Sequence, residues 1–213
     1  MLKNKQKWFA DKPSLLSLLF TSYIQSKSKM EGNLFGASEF KTIEIDLRTP
    51  EDIIFSRFKS NYRNEIRKIL RIEGVVFDEV REIDKIGNSI AEKLGDVRYD
   101  NIKYCGIYNP IGRLITMHVY LIFNDRVRLL KSVNLGTDYE PSLYGSYNRA
   151  LHWFCVKHFK SCGFKSYDFG GFSGKTDGKL AAIDKFKSGF GGNVVSYWNY
   201  ISFPARVKMY LKW

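Results

Sequence analysis

The chain has 213 residues, of which 44% are hydrophobic, 15% aromatic and 26% charged. This composition excludes a disordered protein, because a chain of this length and apolar content can bury a sizeable core. The 34 Lys and Arg against 22 Asp and Glu give a formal net charge of +12, which favours polyanionic partners such as RNA, an anionic membrane or a phosphorylated small molecule.

The cysteines and apolar segments exclude further classes. Cys105, Cys155 and Cys162 lack the spacing of a zinc site or a disulfide framework. The spacing of Cys155 and Cys162 predicts buried, reduced thiols on one helical face. The apolar run "LLSLLF" is shorter than the roughly 18 residues that cross a bilayer, and no signal-peptide cleavage site follows it. We therefore expect a cytoplasmic protein without a metal site.

The first elements suggest a basic segment followed by a core domain. Residues 1–40 are polar and basic with short apolar islands, which predicts a helical and looped segment ahead of one domain at 41–213. The alternation in "KTIEIDL" predicts a strand. Thr49 and Pro50 then predict the start of a helix, and the helical pattern runs on or restarts until Gly74.

The central part of the chain predicts a strand meander. "VVFDEV" is a predicted strand and "DKIGNSIAEKL" a short helix. Three strands follow, "IKYCGIYN", "GRLITMHVYLIFN" and "RVRLLKSVNL", with tight turns at Pro110-Ile111-Gly112 and Asn124-Asp125.

A long amphipathic helix from Gly145 to Cys162 leads into the strand "FKSYDF", a glycine-rich stretch and a last strand, "NVVSYWNYISF". The order predicts an α/β fold with a mixed sheet, made of an antiparallel meander and one parallel β-α-β unit. A ligand is expected at the carboxyl end of the first parallel strand, near the start of the crossover helix.

The stretch "GGFSGKT" is not a nucleotide-binding loop. Such a loop needs a glycine five positions before Gly174, where this chain has Phe169, and a further glycine, Gly178, stands where the helix should begin.

Three other blocks are more specific: "NYRNEIRKILRIEGV" (61–75), "YNRALHWFCVKHFKSCGF" (147–164) with "GFKSYDFGG" (163–171), and "DKFKSGFGG" (184–192). In this order and at these intervals they resemble the Fem-type aminoacyl transferases of the GNAT superfamily. The resemblance covers roughly residues 55–200 and implies a GNAT-like domain that moves an acyl or aminoacyl group to an amine. It implies an acceptor on a cell-wall precursor or an amino sugar, as in polysaccharide biosynthesis.

The resemblance leaves the acyl donor open. Fem enzymes join two such domains, whereas this chain has room for one. The stretch "NLGTDYEPSLYGSYNRA" also lacks the Arg/Gln-x-x-Gly-x-Gly/Ala loop with which many acetyltransferases bind coenzyme A. A coenzyme A thioester, a carrier-protein thioester and an aminoacyl-tRNA all remain candidate donors.

The resemblance also implies catalytic residues. Lys187, in a glycine-bounded loop, is expected to polarise the acyl carbonyl, with Phe186 shaping the pocket. Asp168 could accept the proton of the amine, orient a sugar hydroxyl, or cap the amides of Gly170 and Gly171. The glycine-rich residues 170–182 are expected to form a mobile lid.

Further residues are candidates for binding substrate and phosphate. Lys59, Arg63, Arg67 and Arg71 are spaced by four, and the repulsion within such a stripe suggests an anionic partner for Arg63 or Arg67. The second group lies at the start of the crossover helix and at the start of the glycine-rich stretch. At the start of the helix, free backbone amides could hold a phosphate. Its members are Tyr144, Gly145, Ser146, Gly170 and Gly171. The three histidines lack a partner pattern and are expected to be structural.

Two alternatives remain open. The charge, the arginine stripe and the thirteen tyrosines also suit a non-catalytic nucleic-acid-binding module on the same fold, with tRNA as a partner. The basic first forty residues and the tail "FPARVKMYLKW" mix Lys and Arg with Trp and Leu, which is typical of contact with a membrane surface. That contact is compatible with a lipid-linked acceptor. Oligomeric state is left open.

Overall fold

The computed structural model describes residues 5–11, 13–14, 16–30, 37–80, 101–135 and 141–210. The strands are β1 (Lys5–Trp8), β2 (Thr21–Ser26), β3 (Ser38–Asp46), β4 (Val76–Glu79), β5 (Ile102–Tyr108), β6 (Leu114–Phe123), β7 (Arg126–Asn134), β8 (Ser166–Asp168) and β9 (Asn193–Tyr200). The helices are α1 (Glu51–Ser56), α2 (Ser60–Leu70), α3 (Pro141–Ser161), α4 (Gly178–Ser188) and α5 (Phe203–Tyr210), with a 3-10 turn at Ser17–Leu19. The predicted helix "DKIGNSIAEKL" lies outside the described residues.

The strands form a mixed sheet in the order β1-β2-β9-β3-β8-β7-β6-β5-β4. Strands β4 to β7 are an antiparallel meander. The chain then crosses through α3 and returns as β8, which pairs in parallel with β7. The predicted fold class, a mixed α/β sheet with an antiparallel meander and one parallel β-α-β unit, is confirmed.

Both tight turns of the meander form where the sequence predicts them. Asn124 has a φ of 52°, which an asparagine tolerates in a two-residue turn. At the other turn Gly112 has a φ of 75°, and the Asn109 side chain accepts a 2.8 Å hydrogen bond from the amide of Arg113. Local turn chemistry therefore sets the register of these strands.

The chain divides into two compact units, and the larger comprises Glu44–Gly170 and Lys175–Asn193. In this unit α3 packs on β5, β6 and α2. Aromatic rings fill the space between the helices, with centroids 4.9 to 5.5 Å apart. These rings are Phe58, Tyr62, Trp153, Phe169 and Phe190.

Strands β7 and β8 pair over only three residues. Arg126, Val127 and Arg128 oppose Ser166, Tyr167 and Asp168, where β8 ends, while β7 continues to Asn134. Beyond the paired segment, Leu130 is an extra residue in β7, because Val119 of β6 opposes Lys131 and Tyr120 opposes Leu129. Such a bulge bends its strand, so the parallel pair ends at a defined edge.

The smaller unit comprises Met1–Ile43, Gly171–Gly174 and Val194–Trp213. Here β1 runs parallel to β2, and β2 pairs antiparallel with β9. The helical and looped segment expected within residues 1–40 is therefore wrong in its secondary structure. Neither β1 nor β2 has a strict apolar alternation, and they are extended because β2 pairs with the distant strand β9 and β1 pairs with β2.

The thiols differ in burial. Cys105 and Cys155 are buried free thiols, whereas Cys162 is exposed. The prediction that Cys162 is buried is wrong because α3 ends at Ser161, so this residue lies beyond the packed helical face.

Candidate active site

The candidate site lies in the larger unit, at the end of β8. Asp168 is fully buried, and its Oδ1 accepts a 2.7 Å hydrogen bond from the amide of Gly170. Gly170 has a φ of 68°, and a Cβ at this position would lie 2.4 Å from the carbonyl oxygen of Leu129. Only glycine fits here, because any side chain would meet the backbone of β7 as that strand separates from β8.

Lys187 projects toward this edge from α4. Its ammonium group donates a hydrogen bond to the carbonyl oxygen of Gly170. Burial lowers the pKa of Lys187, the carboxylates of Asp168 and Asp184 act in the opposite direction, and the guanidinium of Arg128 lowers it further. Lys187 is half-buried. The site thus places an ammonium group, partly shielded from water, beside two carboxylates at the end of a parallel strand.

The backbone around Lys187 is helical. We expected residues 170–182 to be a lid and Lys187 to lie in a loop, but α4 spans Gly178–Ser188 and carries Lys187 in its last turn. The loop prediction is wrong because Gly178, with a φ of 74°, stands at the first position of the helix instead of interrupting it.

The glycines after Lys187 are explained by packing of α4 against α2. A Cβ at Gly189 would lie 2.2 Å from the ring of Tyr62, and the Gly189 carbonyl oxygen accepts a 2.8 Å hydrogen bond from the amide of Lys59. The hydroxyl of Tyr62 donates to the Phe186 carbonyl oxygen at 3.1 Å. The glycines therefore bring the end of α4 close to α2, and this contact holds Phe186 and Lys187 in position.

A buried chain of hydrogen bonds lies below this edge. Tyr167, in β8, bonds through its hydroxyl to the hydroxyl of Tyr120 at 2.7 Å and to Nδ1 of His152 at 2.7 Å. Tyr120 also bonds to Nδ1 of His118 at 2.9 Å, and Nε2 of His118 lies 2.8 Å from Oδ1 of Asn148. All but Asn148 are buried, so each link replaces a bond to water and its loss would be costly.

The direction of this chain follows from its neutral histidines. Burial lowers the pKa of His118 to about 4, and burial, with smaller electrostatic contributions from neighbouring His118, Lys187 and Arg149, holds the pKa of His152 well below its ordinary value. Since the amide oxygen of Asn148 can only accept, His118 donates from Nε2 and accepts at Nδ1 from Tyr120. Tyr167 then donates to Tyr120, and His152 donates from Nδ1 to Tyr167.

His152 is packed among the aromatic residues around the site. Its ring lies 5.8 Å from Phe186, 5.1 Å from Phe169 and 4.9 Å from Phe190, measured between centroids. Because its Nδ1 is the donor, Nε2 carries the lone pair. The buried chain thus fixes both the tautomer and the orientation of a ring that contacts Phe186.

The first part of α3 differs from the sequence prediction. The helix begins at Pro141, so Gly145 and Ser146 lie in its second turn and their amides do not open the helix. The expectation of free amides there is wrong, because Pro at a first helical position lets the helix start earlier. The hydroxyl of Ser146 instead donates to Oε2 of Glu65 at 3.0 Å. Tyr144 lies in the same segment and is half-buried.

Glu65 also pairs with Arg149, whose Nη1 lies 2.5 Å from Oε2 of Glu65. The guanidinium of Arg149 stacks over Tyr62, 4.3 Å from the ring centroid, and lies 5.4 Å from that of Phe186. Arg149 therefore links α2 and α3 to the aromatic residue that precedes Lys187.

Two arginines of the predicted stripe, Arg63 and Arg67, contact α1 or the residues that follow it. Arg63 donates from Nη1 to the carbonyl oxygens of Ser56, at 2.9 Å, and Phe58. Arg67 is exposed and lies over the ring of Phe55, 5.3 Å from its centroid. The structure therefore brings together Lys187, Asp168 and Gly170, while Arg63 and Arg67 lie along α2.

Sequence reasoning missed the buried histidine–tyrosine chain. Two patterns could have indicated it. His118 and Tyr120 alternate onto one face of β6, and Asn148 and His152 are four residues apart on α3, which places polar side chains on two faces that should be apolar. Among the described residues, no three His, Cys, Asp or Glu side chains cluster as metal ligands would.

The comparisons with known proteins bear on the fold. No protein-family model and no curated protein sequence matches the chain. The crystal structure of FemX is similar, with a TM-score of 0.59 at 10% identity, covering 88% of this chain and 64% of that chain. This chain therefore spans less than two thirds of FemX.

Two further solved structures are similar. The C-terminal domain of a putative lysylphosphatidylglycerol synthetase from Agrobacterium fabrum has a TM-score of 0.61 at 11% identity, covering 90% of this chain and 70% of that one. L-PGS from Bacillus licheniformis has a TM-score of 0.55 at 14% identity, covering 91% and 72%. The resemblance inferred from the three sequence blocks is thus confirmed at the level of the fold, since this chain shares its fold with FemX and with these two structures.

Proposed function

We propose that this protein is an N-acyltransferase that moves an acyl or aminoacyl group from an activated donor to an amine. The donor is an acyl-coenzyme A, an acyl carrier thioester or an aminoacyl-tRNA ester. The observation that carries the proposal is the half-buried ammonium group of Lys187, hydrogen-bonded to the Gly170 carbonyl oxygen where β7 and β8 separate. A parallel strand pair that opens at its carboxyl end is a common place for a ligand in α/β folds.

The reaction needs few protein groups. The uncharged amine attacks the donor carbonyl carbon, a C–N bond forms, and negative charge gathers on the carbonyl oxygen. The C–S or C–O bond to the leaving group then breaks, and the proton released by the amine neutralises the leaving thiolate or ribose oxygen. Lys187 stabilises the oxyanion, since the ammonium that binds the Gly170 carbonyl oxygen can equally bind a substrate oxygen beside it.

The surrounding residues support this role of Lys187. Asp168 holds the amide of Gly170 and so fixes the carbonyl oxygen to which the ammonium donates. Phe186, between Tyr62 and His152, forms an apolar wall that limits access of water. Partial exclusion of water strengthens the attraction between an ammonium and a developing oxyanion.

The finer assignments complete the proposal. The donor's phosphates or the acceptor are proposed to contact four residues, Arg63, Arg67, Tyr144 and Gly171. The proposed amine belongs to an amino sugar or to a lipid-linked cell-wall precursor. One of the similar structures is the C-terminal domain of a putative lysylphosphatidylglycerol synthetase, whose name refers to a lipid.

The test compares two lysines of the same helix. Lys187→Met removes the ammonium at the strand edge, and Lys185→Met removes an exposed one two residues away. Purified variants are given radiolabelled acetyl-coenzyme A or bulk aminoacyl-tRNA with glucosamine and lysine as amine probes, and amide formation is counted. Loss of a donor to an oxyanion costs about 10²- to 10³-fold in rate, so we expect that loss for Lys187→Met and none for Lys185→Met.

Equal rates for the wild type and a folded Lys187→Met variant would refute the assignment of Lys187. Folding is checked by circular dichroism and by the urea midpoint of each variant. If no probe is turned over by the wild type while ¹⁴C-acetyl-coenzyme A and aminoacyl-tRNA both fail to bind, the acyltransferase proposal itself is refuted.

A further inference from the structure

The smaller unit exposes a group of large apolar side chains. Five are between 38% and 80% exposed, and we call them the apolar knob. They are Leu16 (80%), Leu19 (41%), Phe20 (56%), Phe203 (53%) and Val207 (38%). Single exposed apolar residues are ordinary, but a group on neighbouring elements marks an interaction surface.

The apolar knob is held by packing beneath it. The 3-10 turn that carries Leu19 contacts α5, which carries Phe203 and Val207. Leu18, from the same turn, is fully buried with Ala10, Tyr23 and Tyr200.

Two hydrogen bonds fix the neighbouring backbone. The amide of Ser202 donates to Oγ of Ser22 at 3.0 Å, and the two serine hydroxyls lie 3.2 Å apart in a buried contact. Phe20 and Phe203 flank this link in the sequence, so the structure holds them on a common rigid base.

The smaller unit is also strongly cationic. Its three segments contain ten Lys and Arg against three Asp and Glu, a formal charge of +7, and residues 194–213 contain no acidic residue. The rest of the chain therefore carries only +5 of the total +12, although it is the larger unit. A unit that combines a net positive charge with exposed apolar side chains matches an anionic lipid surface, where apolar groups enter the acyl boundary and cations meet the headgroups.

We propose that the smaller unit docks on an anionic lipid bilayer through the apolar knob. A nucleic acid fits this surface less well, because three of its five apolar side chains, two leucines and a valine, cannot stack on bases. No described helix is long and apolar enough to span a bilayer. The contact that we propose is an interfacial one, made by exposed apolar side chains. The proposal does not depend on acyl transfer, since it uses only residues of the smaller unit.

The experiment is sedimentation of the full chain with phosphatidylcholine vesicles, with and without phosphatidylglycerol as the anionic lipid. The test variant is Leu16→Ser/Phe20→Ser. The matched control is Ile111→Ser, which removes an apolar side chain that is 84% exposed in the larger unit, at the turn between β5 and β6.

We expect the wild type and Ile111→Ser to bind the anionic vesicles alike and to bind the neutral vesicles weakly. The double variant should lose about tenfold or more in partition, because two large apolar groups no longer enter the bilayer. A second test variant, Phe203→Ser, changes a side chain outside the 3-10 turn, so a loss of binding in this variant cannot come from misfolding of that turn. Its loss of partition should be smaller, because only one apolar side chain is removed.

The proposal is overturned if the wild type does not sediment with anionic vesicles, or if the double variant, shown to be folded, sediments as well as the wild type. It is also overturned if gel filtration shows that the wild type forms an oligomer, that the double variant does not, and that added vesicles do not dissociate this oligomer. In that case the apolar knob is a protein interface. Failure here leaves the assignment of Lys187 untouched.

Discussion

The buried histidine–tyrosine chain predicts that the protein loses stability in mild acid. In the folded state His118 is neutral and its pKa is lowered to about 4 by burial, whereas the ordinary value is 6.5. Between these values the unfolded chain binds a proton that the folded chain does not. The free energy of unfolding therefore falls as the pH is lowered from about 6.5 to about 4, and this contribution is flat below that window.

The magnitude follows from the two pKa values. A difference of one pKa unit is worth about 1.4 kcal/mol, so His118 contributes about 3 kcal/mol across the whole window and about 2 kcal/mol between pH 7 and pH 4.5. The lowered pKa of His152 acts in the same direction. A drop of this size is a substantial part of the 5–15 kcal/mol, roughly, that stabilises a typical domain.

The assay is urea unfolding, followed by tryptophan fluorescence, at pH 7 and pH 4.5. In His118→Gln the pH-dependent loss should shrink by about 2 kcal/mol relative to the wild type, because the titrating group is gone. His158→Gln is the control, since this ring is partly exposed and pairs with Glu79 near the surface. NMR of the three histidines supplies an independent reading of each protonation state.

The reasoning is refuted if the His118 ring titrates near 6.5 in the folded protein. It is equally refuted if His118→Gln keeps the full loss of stability between the two pH values. Either result would mean that the ring is hydrated and that the hydrogen-bonded chain does not hold it neutral.

Three further predictions concern the strand edge. Gly170→Ala should lower the free energy of unfolding by more than about 2 kcal/mol, because its Cβ would meet the Leu129 carbonyl oxygen. The control Gly112→Ala has a similar φ but open space around the Cβ, so it should cost only about 1 kcal/mol. Tyr167→Phe should cost about 1–3 kcal/mol in the same urea assay, since it leaves buried partners unsatisfied. Because burial lowers the pKa of Lys187, the transfer rate should fall with rising pH below 10.5, and Lys187→Arg, which stays charged, should abolish that fall.

Local patterns were sufficient to predict the meander and its crossover. The alternation in β5, β6 and β7, together with Asn124-Asp125 and Gly112 at the turns, acts between residues close in sequence. The block around Asp168 likewise placed this residue at a strand end, whereas Lys187 was predicted to lie in a loop and instead lies in the last turn of α4. These patterns depend on short-range effects, namely the burial of side chains at a fixed period and backbone conformations that few residue types adopt.

Other features could not be predicted from the sequence, because they depend on contacts between segments of the chain that local patterns do not connect. The strands β1 and β2 are extended through pairing within the smaller unit, and no apolar period marks them. Gly189 marks a close approach of α4 to Tyr62, about 130 residues earlier in the chain, a distance over which no local signal extends.

The sequence by itself determined the order of the elements, the basic character of the chain and the motif that contains Lys187. Only the tertiary structure decided that Lys187 reaches the carbonyl oxygen of Gly170, and that His118, Tyr120, Tyr167 and His152 form one hydrogen-bonded chain. The physical reason is that a buried polar side chain must find its partner wherever the fold brings one, and those partners come from three different elements.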